Sequence, residues 1–340
     1  MKRIKLKEDA FPVNDPEAYK AYPHLRQMFN KLFVTKTQGI RCGKMNVIPK
    51  KFPVFVKPIV NLQGSNKDCY VVYNKQQFQN FMHRKELFWS EFLKGQEKSS
   101  DIFMLNGNIV FKMTYVIKIA DDDNFLEDYK RIYGNDYKVS DKLLNWVKKY
   151  YEKHTGIINI QYRGDKIFET SPRPDYGGTY IEMTGNQVLI DAVHKLYFDK
   201  QWLPNVPIKI KKFYEFQVIG RSPFITTLPN HLIDRILSKH CVSFKELYDD
   251  YGEGKKIIYA FFSENKFVGL NAKLLIEKMI HNFNICLLII ILSVILIVLK
   301  SNLKHKVPIF ILVIIIIYKL IMNHREKNLT KEYSKTLGFF

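Results

Sequence analysis

The chain sets a carboxylate and an arginine four residues apart in Glu169-Thr-Ser-Pro-Arg-Pro-Asp-Tyr-Gly-Gly-Thr-Tyr180, directly after the strand-like Lys166-Ile-Phe168. Alone, that spacing means little. Upstream, Phe52-Pro-Val-Phe-Val-Lys57-Pro58 is a strand that delivers a lysine, and Gly64-Ser-Asn-Lys67 is a glycine loop. Lysine ammonium groups offset the charge of a nucleoside triphosphate, and glycine lets backbone N–H groups come close to phosphate oxygens. Magnesium takes hard oxygen ligands, a carboxylate or two with phosphates and water. Arginine stabilises charge on a transferred phosphoryl group or an acyl phosphate. Taken singly, Val-Lys-Pro reads as a surface lysine and Gly-Ser-Asn as a turn. Lysine, glycine loop, then strand-borne glutamate with arginine is the order of parts that grips a triphosphate and its metal ion.

The elements that must position these groups alternate without a strict βαβ rhythm. Asn30 to Lys36 opens as a helix, Phe52 to Val60 and Cys69 to Tyr73 are strands, and residues 75–85 have helical spacing. Glu86 to Leu93, Asp101 to Leu105 and Ile109 to Ile119 follow as strands, the last two joined by Asn106-Gly107, a dipeptide that tolerates positive φ. Ser140 to Lys153 is an amphipathic helix with Leu143, Leu144 and Val147 on one face, and Ser140 or Asp141 can cap it. Ile157 to Tyr162 and Lys166 to Thr170 form a hairpin around Arg163-Gly164-Asp165, a turn rather than an adhesion motif. Gln187 to Phe198 is another helix, and short strands and a helix recur between residues 207 and 280. Prominent hairpins favour an α+β arrangement over a parallel doubly wound sheet. The acidic run Asp121 to Asp128 matches no calcium loop and reads as solvated, and His231 and His240 lie too far apart on their helix to share a metal.

Composition adds bounds. The chain has 340 residues, room for roughly two domains, with 25 Phe and 20 Tyr to fill a core. Lys+Arg number 53 against 33 Asp+Glu, a formal charge of +20 that suits anionic partners. The Lys, Ile and Asn bias also leaves many lysines simply solvated. Cys42, Cys69, Cys241 and Cys286 form no Cys-x-x-Cys pair, which argues against a zinc site or disulfide framework and favours a reducing compartment. The N-terminus has no apolar stretch of the secretory kind.

Residues 283–299 carry no charge and would span about 25 Å as a helix, against about 30 Å for a bilayer core. A basic loop follows, then a second apolar run, 307–322, interrupted only by Lys319. Together they predict a transmembrane helical hairpin over 283–322. Basic residues at 273, 278, 319, 325, 327, 331 and 335 outnumber Lys300, Lys304 and Lys306, which puts the main domain and both termini in the cytosol.

The ordered motifs resemble the ATP-grasp superfamily over about residues 28–200, in the manner of the ATP-binding domain of glutathione synthetase. The resemblance implies two α+β subdomains gripping ATP and a carboxylate joined to a nucleophile through an acyl phosphate. Asn30-Lys31 looks like the family's Asp-Lys that opens the ATP unit, with Asn in place of Asp. By this likeness Lys31, Lys57 and Lys67 meet the phosphates, with Gly64 and Ser65 in the flap. Glu91-Phe-Leu-Lys-Gly95-Gln-Glu97 is similar to the hinge, so Phe92 and Leu93 would meet adenine and Glu97 the ribose. Gly156 to Gln161 and Glu169-Thr-Ser171-Pro-Arg173-Pro look like the magnesium hairpin of the ATP-dependent carboxylase subunit of purine synthesis. Glu169, Gln161 and Ser171 would hold Mg2+, and Arg173 would stabilise the acyl phosphate.

Two departures matter. Gln161 stands where the family carries Asp or Glu, so the site loses one charge. Only 30 residues precede Lys31, so by this likeness the part that names the substrate would be largely missing and purine chemistry does not follow. The expected layout is an N-terminal extension (1–27), an ATP-grasp-like domain (28–206), an accessory α/β region (207–280), the membrane hairpin (283–322) and a basic tail (323–340). The expected function is a membrane-anchored ATP- and Mg2+-dependent carboxylate–amine or related ligase with an unnamed small-molecule or peptide acceptor. The alternatives are a degenerate module that binds nucleotide as a membrane scaffold, and a basic membrane protein that binds nucleic acid or acidic lipid; nucleic acid is the less favoured partner. The composition and shortened layout also resemble proteins of large DNA viruses of protists, which would place the anchor in a host-cell or virion membrane.

Overall fold

The computed structural model describes residues 6–7, 10–62, 68–117, 131–134, 137–204, 206–220, 228, 230–239, 244–246 and 256–300. Two compact units divide the chain: Met1–Phe216 with Phe262–Gly269, and Gln217–Phe261 with Leu270–Phe340.

The first unit holds two antiparallel sheets. Strands β1 (Cys42–Lys44), β2 (Val54–Pro58), β3 (Tyr70–Val72) and β4 (Leu87–Glu91) form the smaller, in the order β1-β4-β2-β3. Strands β5 (Glu97–Leu105), β6 (Asn108–Ile117), β7 (Arg131–Gly134), β8 (Gly156–Arg163), β9 (Lys166–Ser171) and the first half of β10 (Phe213–Gly220) follow, in the order β10-β7-β6-β5-β8-β9. Helices α1 (Asp15–Ala21), α2 (Lys31–Thr37), α3 (Lys75–Gln79), α4 (Asp141–Tyr150), α5 (Thr179–Met183) and α6 (Gln187–His194) complete the unit.

Period-two alternation sorts the faces of the small sheet. Val54 and Val56 point into a core with Met45, Val72, Phe78, Leu87 and Trp89, so Lys57 points the other way. Trp89 anchors this core by donating Nε1–H to the Val47 carbonyl at 2.6 Å. In the large sheet, Ile158 and Ile160 of β8 and Ile167 of β9 pack against Leu143, Trp146 and Val147 of α4 and Val34 of α2. Side-chain oxygens cap both helices: Ser140 accepts from the Leu143 N–H, and Asn30 from the Phe33 N–H at 2.9 Å. Asn106 and Gly107 adopt φ of 48° and 77°, the left-handed pair that the β5–β6 hairpin needs. A Cβ on Gly107 would lie 1.7 Å from the Glu152 carbonyl oxygen, so that approach requires glycine.

The sequence expectation started a strand at Asp101; β5 instead starts at Glu97, and its polar start is buried at Ser99, Ser100 and Asp101. The short β1 and the helix α1 had no expectation attached. The acidic run 121–128 lies outside the described residues.

In the second unit are α7 (Asn230–Lys239), β11 (Phe244–Glu246), most of β12 (Lys256–Ser263) and most of α8 (Lys266–Lys300). Tyr259 donates its hydroxyl to the Leu228 carbonyl at 3.0 Å. Along α8, Ala272, Ile276 and Ile280 are buried at i, i+4 spacing, whereas Phe283, Ile285, Ile289 and Leu292 are exposed. The expected first membrane span, 283–299, is thus the end of a helix whose earlier turns are packed within the domain. Among the described residues no helix is long and apolar enough to cross a membrane. The expected second span, 307–322, and the basic tail, 323–340, lie outside the described residues.

Candidate active site

Three of the charged groups singled out in the sequence meet at the middle of β9. Helix α2 starts where the Lys31 N–H donates to the Ile59 carbonyl at 2.8 Å, which ties the helix to the strand that carries Lys57. The Lys31 ammonium then reaches Glu169 at 2.9 Å, with the lysine side chain only 9% exposed and the glutamate 30%. Lys57, 4% exposed, crosses from the small sheet to donate to the Phe168 carbonyl on β9 at 2.9 Å. Its amine also lies 5.5 Å and 5.6 Å from the Phe88 and Phe168 ring centres. Burial lowers its pKa to about 8; Lys31 pushes the same way and Glu169 opposes it. A lysine in this setting holds a proton at neutral pH yet lacks a full anionic partner.

The metal candidates follow from register. Gln161 on β8 pairs directly with Glu169 on β9, and Asn159 with Ser171. All four therefore share one face of the sheet. Ser99 and Asp101 of β5 lie opposite Gln161 and Asn159 and extend the same polar face. Among the described residues, no three His, Cys, Asp or Glu side chains gather closely enough to hold a metal. One carboxylate opposite one amide is instead a donor set for Mg2+ that arrives with phosphate oxygens already attached. Ser171 is otherwise engaged: its hydroxyl donates to Asp15 at 2.7 Å. Arg173 donates Nε–H to the same Asp15 oxygen at 2.6 Å and Nη1–H to the Pro174 carbonyl at 3.0 Å.

The strand-to-loop turn after Arg173 hangs on Asp101. That carboxylate is fully buried; one oxygen accepts from the Asp175 N–H at 3.0 Å and from Asn159 at 2.9 Å. Its other oxygen has no partner among the described residues. Burial raises its pKa to about 7, while the bonds from Asn159 and Asp175 and the charge of Arg173 pull it down.

The hinge candidates Phe92 and Leu93 lie in the connection between β4 and β5. Phe92 and Leu93 line an open cavity of ≈ 400 Å³ with Lys94, Lys142, Arg163 and Lys166. Glu97, expected to hold a ribose, is bonded to Arg163 Nη2 at 2.9 Å, and the same guanidinium donates to the Leu93 carbonyl at 2.8 Å. Glu91 takes both Arg41 and Lys166. Gly64, Ser65 and Lys67, the expected flap, lie outside the described residues.

Sequence reasoning missed Asp15, Asp101, Asn159 and Arg163. A lone Asp before Pro-Glu reads as a helix start, and polar residues inside strands read as solvent-facing. Only the β8–β9 register, which needs the bulge between Gln161 and Tyr162, sets Asn159 beside Ser171.

No protein-family model matches the chain. No curated protein matches it by sequence either. Solved structures do. A carboxyaminoimidazole ribonucleotide synthase from Aspergillus clavatus, complexed with ATP, superposes with a TM-score of 0.51 at 11% identity, covering 77% of this chain and 75% of that one. An L-amino acid ligase from Bacillus licheniformis gives 0.49 at 12% identity, with 74% of each chain covered. An N5-carboxyaminoimidazole synthetase from Staphylococcus aureus, complexed with ADP, gives 0.49 at 15%, covering 71% and 68%. The first of these likenesses shows the fold: the chain has the α+β ATP-grasp architecture, over a wider stretch than the motifs alone cover.

Proposed function

We propose that this chain is an ATP- and Mg2+-dependent ligase that joins a carboxylate to an amine or related nucleophile through an acyl phosphate. One observation carries the reading. Lys31, Lys57 and Glu169 come from three separate elements and meet on β9, with the two lysines within electrostatic reach of each other. Glu169 offsets one of the two positive charges, and an incoming anion would offset the other. Arg173, two residues beyond Ser171, supplies a further positive group where charge develops on the transferred phosphoryl oxygen. Mg2+, when bound with the triphosphate, neutralises its oxygens; Glu169 with Gln161 would hold it, and Ser171 would assist once released from Asp15. The hinge cavity beside Phe92 and Leu93 suits the base, and Glu91 and Arg163 are in its charged wall. Neighbours of this fold bind ATP or ADP in their crystals, which agrees with the reading. The test is a melting shift on adding ATP with Mg2+, followed by screening of acids and amines for ADP release. Binding without ADP release under a broad screen would remove the ligase step.

Gln161 supports a second reading: a module that binds nucleotide without turnover. An amide opposite Glu169 brings no charge to the metal. Gln161→Glu separates the two, because an inert chain that gains ADP release has lost catalysis, whereas an active wild type refutes the loss. Membrane attachment through 283–322 stays part of the proposal. It rests on the apolar composition of the two runs, of which only the second carries a charge (Lys319), and on the exposed Phe283, Ile285, Ile289 and Leu292 of α8. The acceptor, small molecule or peptide, would then be met at a cytosolic membrane face, and a viral source rests on composition and the shortened layout.

A further inference from the structure

Asp15 is 7% exposed and reaches the site from a part of the chain far from it in sequence. Its Oδ1 accepts two bonds, from the Ser171 hydroxyl at 2.7 Å and from Arg173 Nε at 2.6 Å. An arginine–carboxylate pair built for stability is usually bidentate, two parallel bonds on two oxygens. This one is end-on, through Nε alone, with a serine as the second donor to the same oxygen. Among the described residues nothing bonds to Arg173 Nη2 or to Asp15 Oδ2. The arrangement is that of a single oxyanion held by a hydroxyl and a guanidinium.

The segment that brings Asp15 lies across the loop after Arg173. A Cβ on Gly177 would lie 3.0 Å from Val13 Cβ, and one on Gly178 would lie 2.7 Å from the Phe11 ring. The Leu6 N–H donates to Glu182 at 2.8 Å, and the Lys7 N–H to His194 Nε2 at 3.0 Å. The glycine pair singled out in the sequence is therefore a seat for the chain's own N-terminal segment.

We infer that Ser171 and Arg173 form an oxyanion subsite, and that Asp15 fills it as an internal stand-in for the oxyanion of the second substrate. The inference deepens the ligase reading and rests on it for the word substrate. The ligand that belongs there presents a carboxylate or phosphoryl oxygen small enough to sit between a hydroxyl and an Nε–H, and it binds only by displacing Asp15. The chain thus carries its own competitor.

The test uses the full chain and inorganic phosphate as the probe, without nucleotide, by calorimetry. Asp15→Asn and Asp15→Ala are each expected to bind phosphate about tenfold more tightly than the wild type, because a like charge leaves the subsite. Adding Arg173→Ala to either should abolish the gain. No gain in either variant, weaker binding, or a gain that survives without Arg173 overturns the inference. So does an Asp15→Asn chain that cannot fold, since the pair is then purely structural. A wild type indifferent to ATP with Mg2+, alongside the expected phosphate gain, would remove the ligase reading and leave the subsite standing.

Discussion

Lys57 shows why a residue can be readable in type and unreadable in state. The sequence places a lysine after a strand and before proline, which says that it is aimed. Only the packing under Phe88 and Phe168 says that its charge is poorly solvated. Its pKa lies near 8, below the ordinary 10.5, so the unfolded chain holds more protons between those values. Stability should therefore rise with pH from about 8 to about 10.5, and the penalty is full below 8. Lys57→Met should remove that rise and gain about 1–2 kcal/mol at pH 7, after loss of the bond to Phe168. Urea titrations at pH 7 and pH 10 check this, and the same variant should lose its response to ATP. Asp101 titrates with the opposite sign. Its carboxyl is raised from 3.8 to about 7, so the folded chain holds the extra proton. Stability from this group is present below pH 4 and is lost as pH climbs to about 7. Asp101→Asn should flatten the fall across that window in chemical denaturation, and an unchanged profile would clear Asp101 of the effect.

At the level of elements, strands with a strong apolar alternation and helices with a cap were legible: β2, β6, α2 and α4 formed close to where the pattern put them. The three-residue β1 and the polar start of β5 were not, because their stability comes from neighbours rather than from their own sequence. Cys42–Lys44 has no alternation to read, yet Gly43 lies under the Trp89 ring and pairs with that residue across the sheet. The β8–β9 hairpin was legible as a hairpin but not in register, and the register is what sets Gln161 opposite Glu169. Restoring a carboxylate there tests what the register does. Gln161→Glu should tighten Mg2+ binding in the presence of ATP by about tenfold, read as the metal concentration that gives half the melting shift. The loop after β9 has its own test. Gly178 adopts φ of 80° and faces Phe11 and Leu6, so Gly178→Ala combines backbone strain with a clash. A loss of about 2–3 kcal/mol is expected, larger than glycine replacement in an open turn. Gly164→Ala, also at positive φ but with nothing within 4 Å, is the control.

At the scale of the first unit, the Lys57–Phe168 bond joins the two sheets and the Lys31–Glu169 pair ties α2 to the larger one. Motif order was enough to propose that convergence, since each motif was tied to its own element. The N-terminal segment was harder: Asp15 has no spacing partner in sequence, and only the folded chain brings it to Ser171 and Arg173. The apolar C-terminal run was read from composition, and α8 shows that its start belongs to a packed helix. The formal charge of +20 makes nonspecific anion binding a rival to any nucleotide effect. A specific triphosphate site should keep its response at 0.3 M salt, about twice physiological strength, where the Debye length is below the 8 Å of physiological salt. The deciding measurement is the melting temperature with and without ATP and Mg2+ at that salt, for the wild type, Lys57→Ala and Glu169→Ala. A rise in the wild type that both substitutions remove is the predicted result. No rise, or a rise of equal size in all three chains, would contradict the claim that these residues meet on one triphosphate.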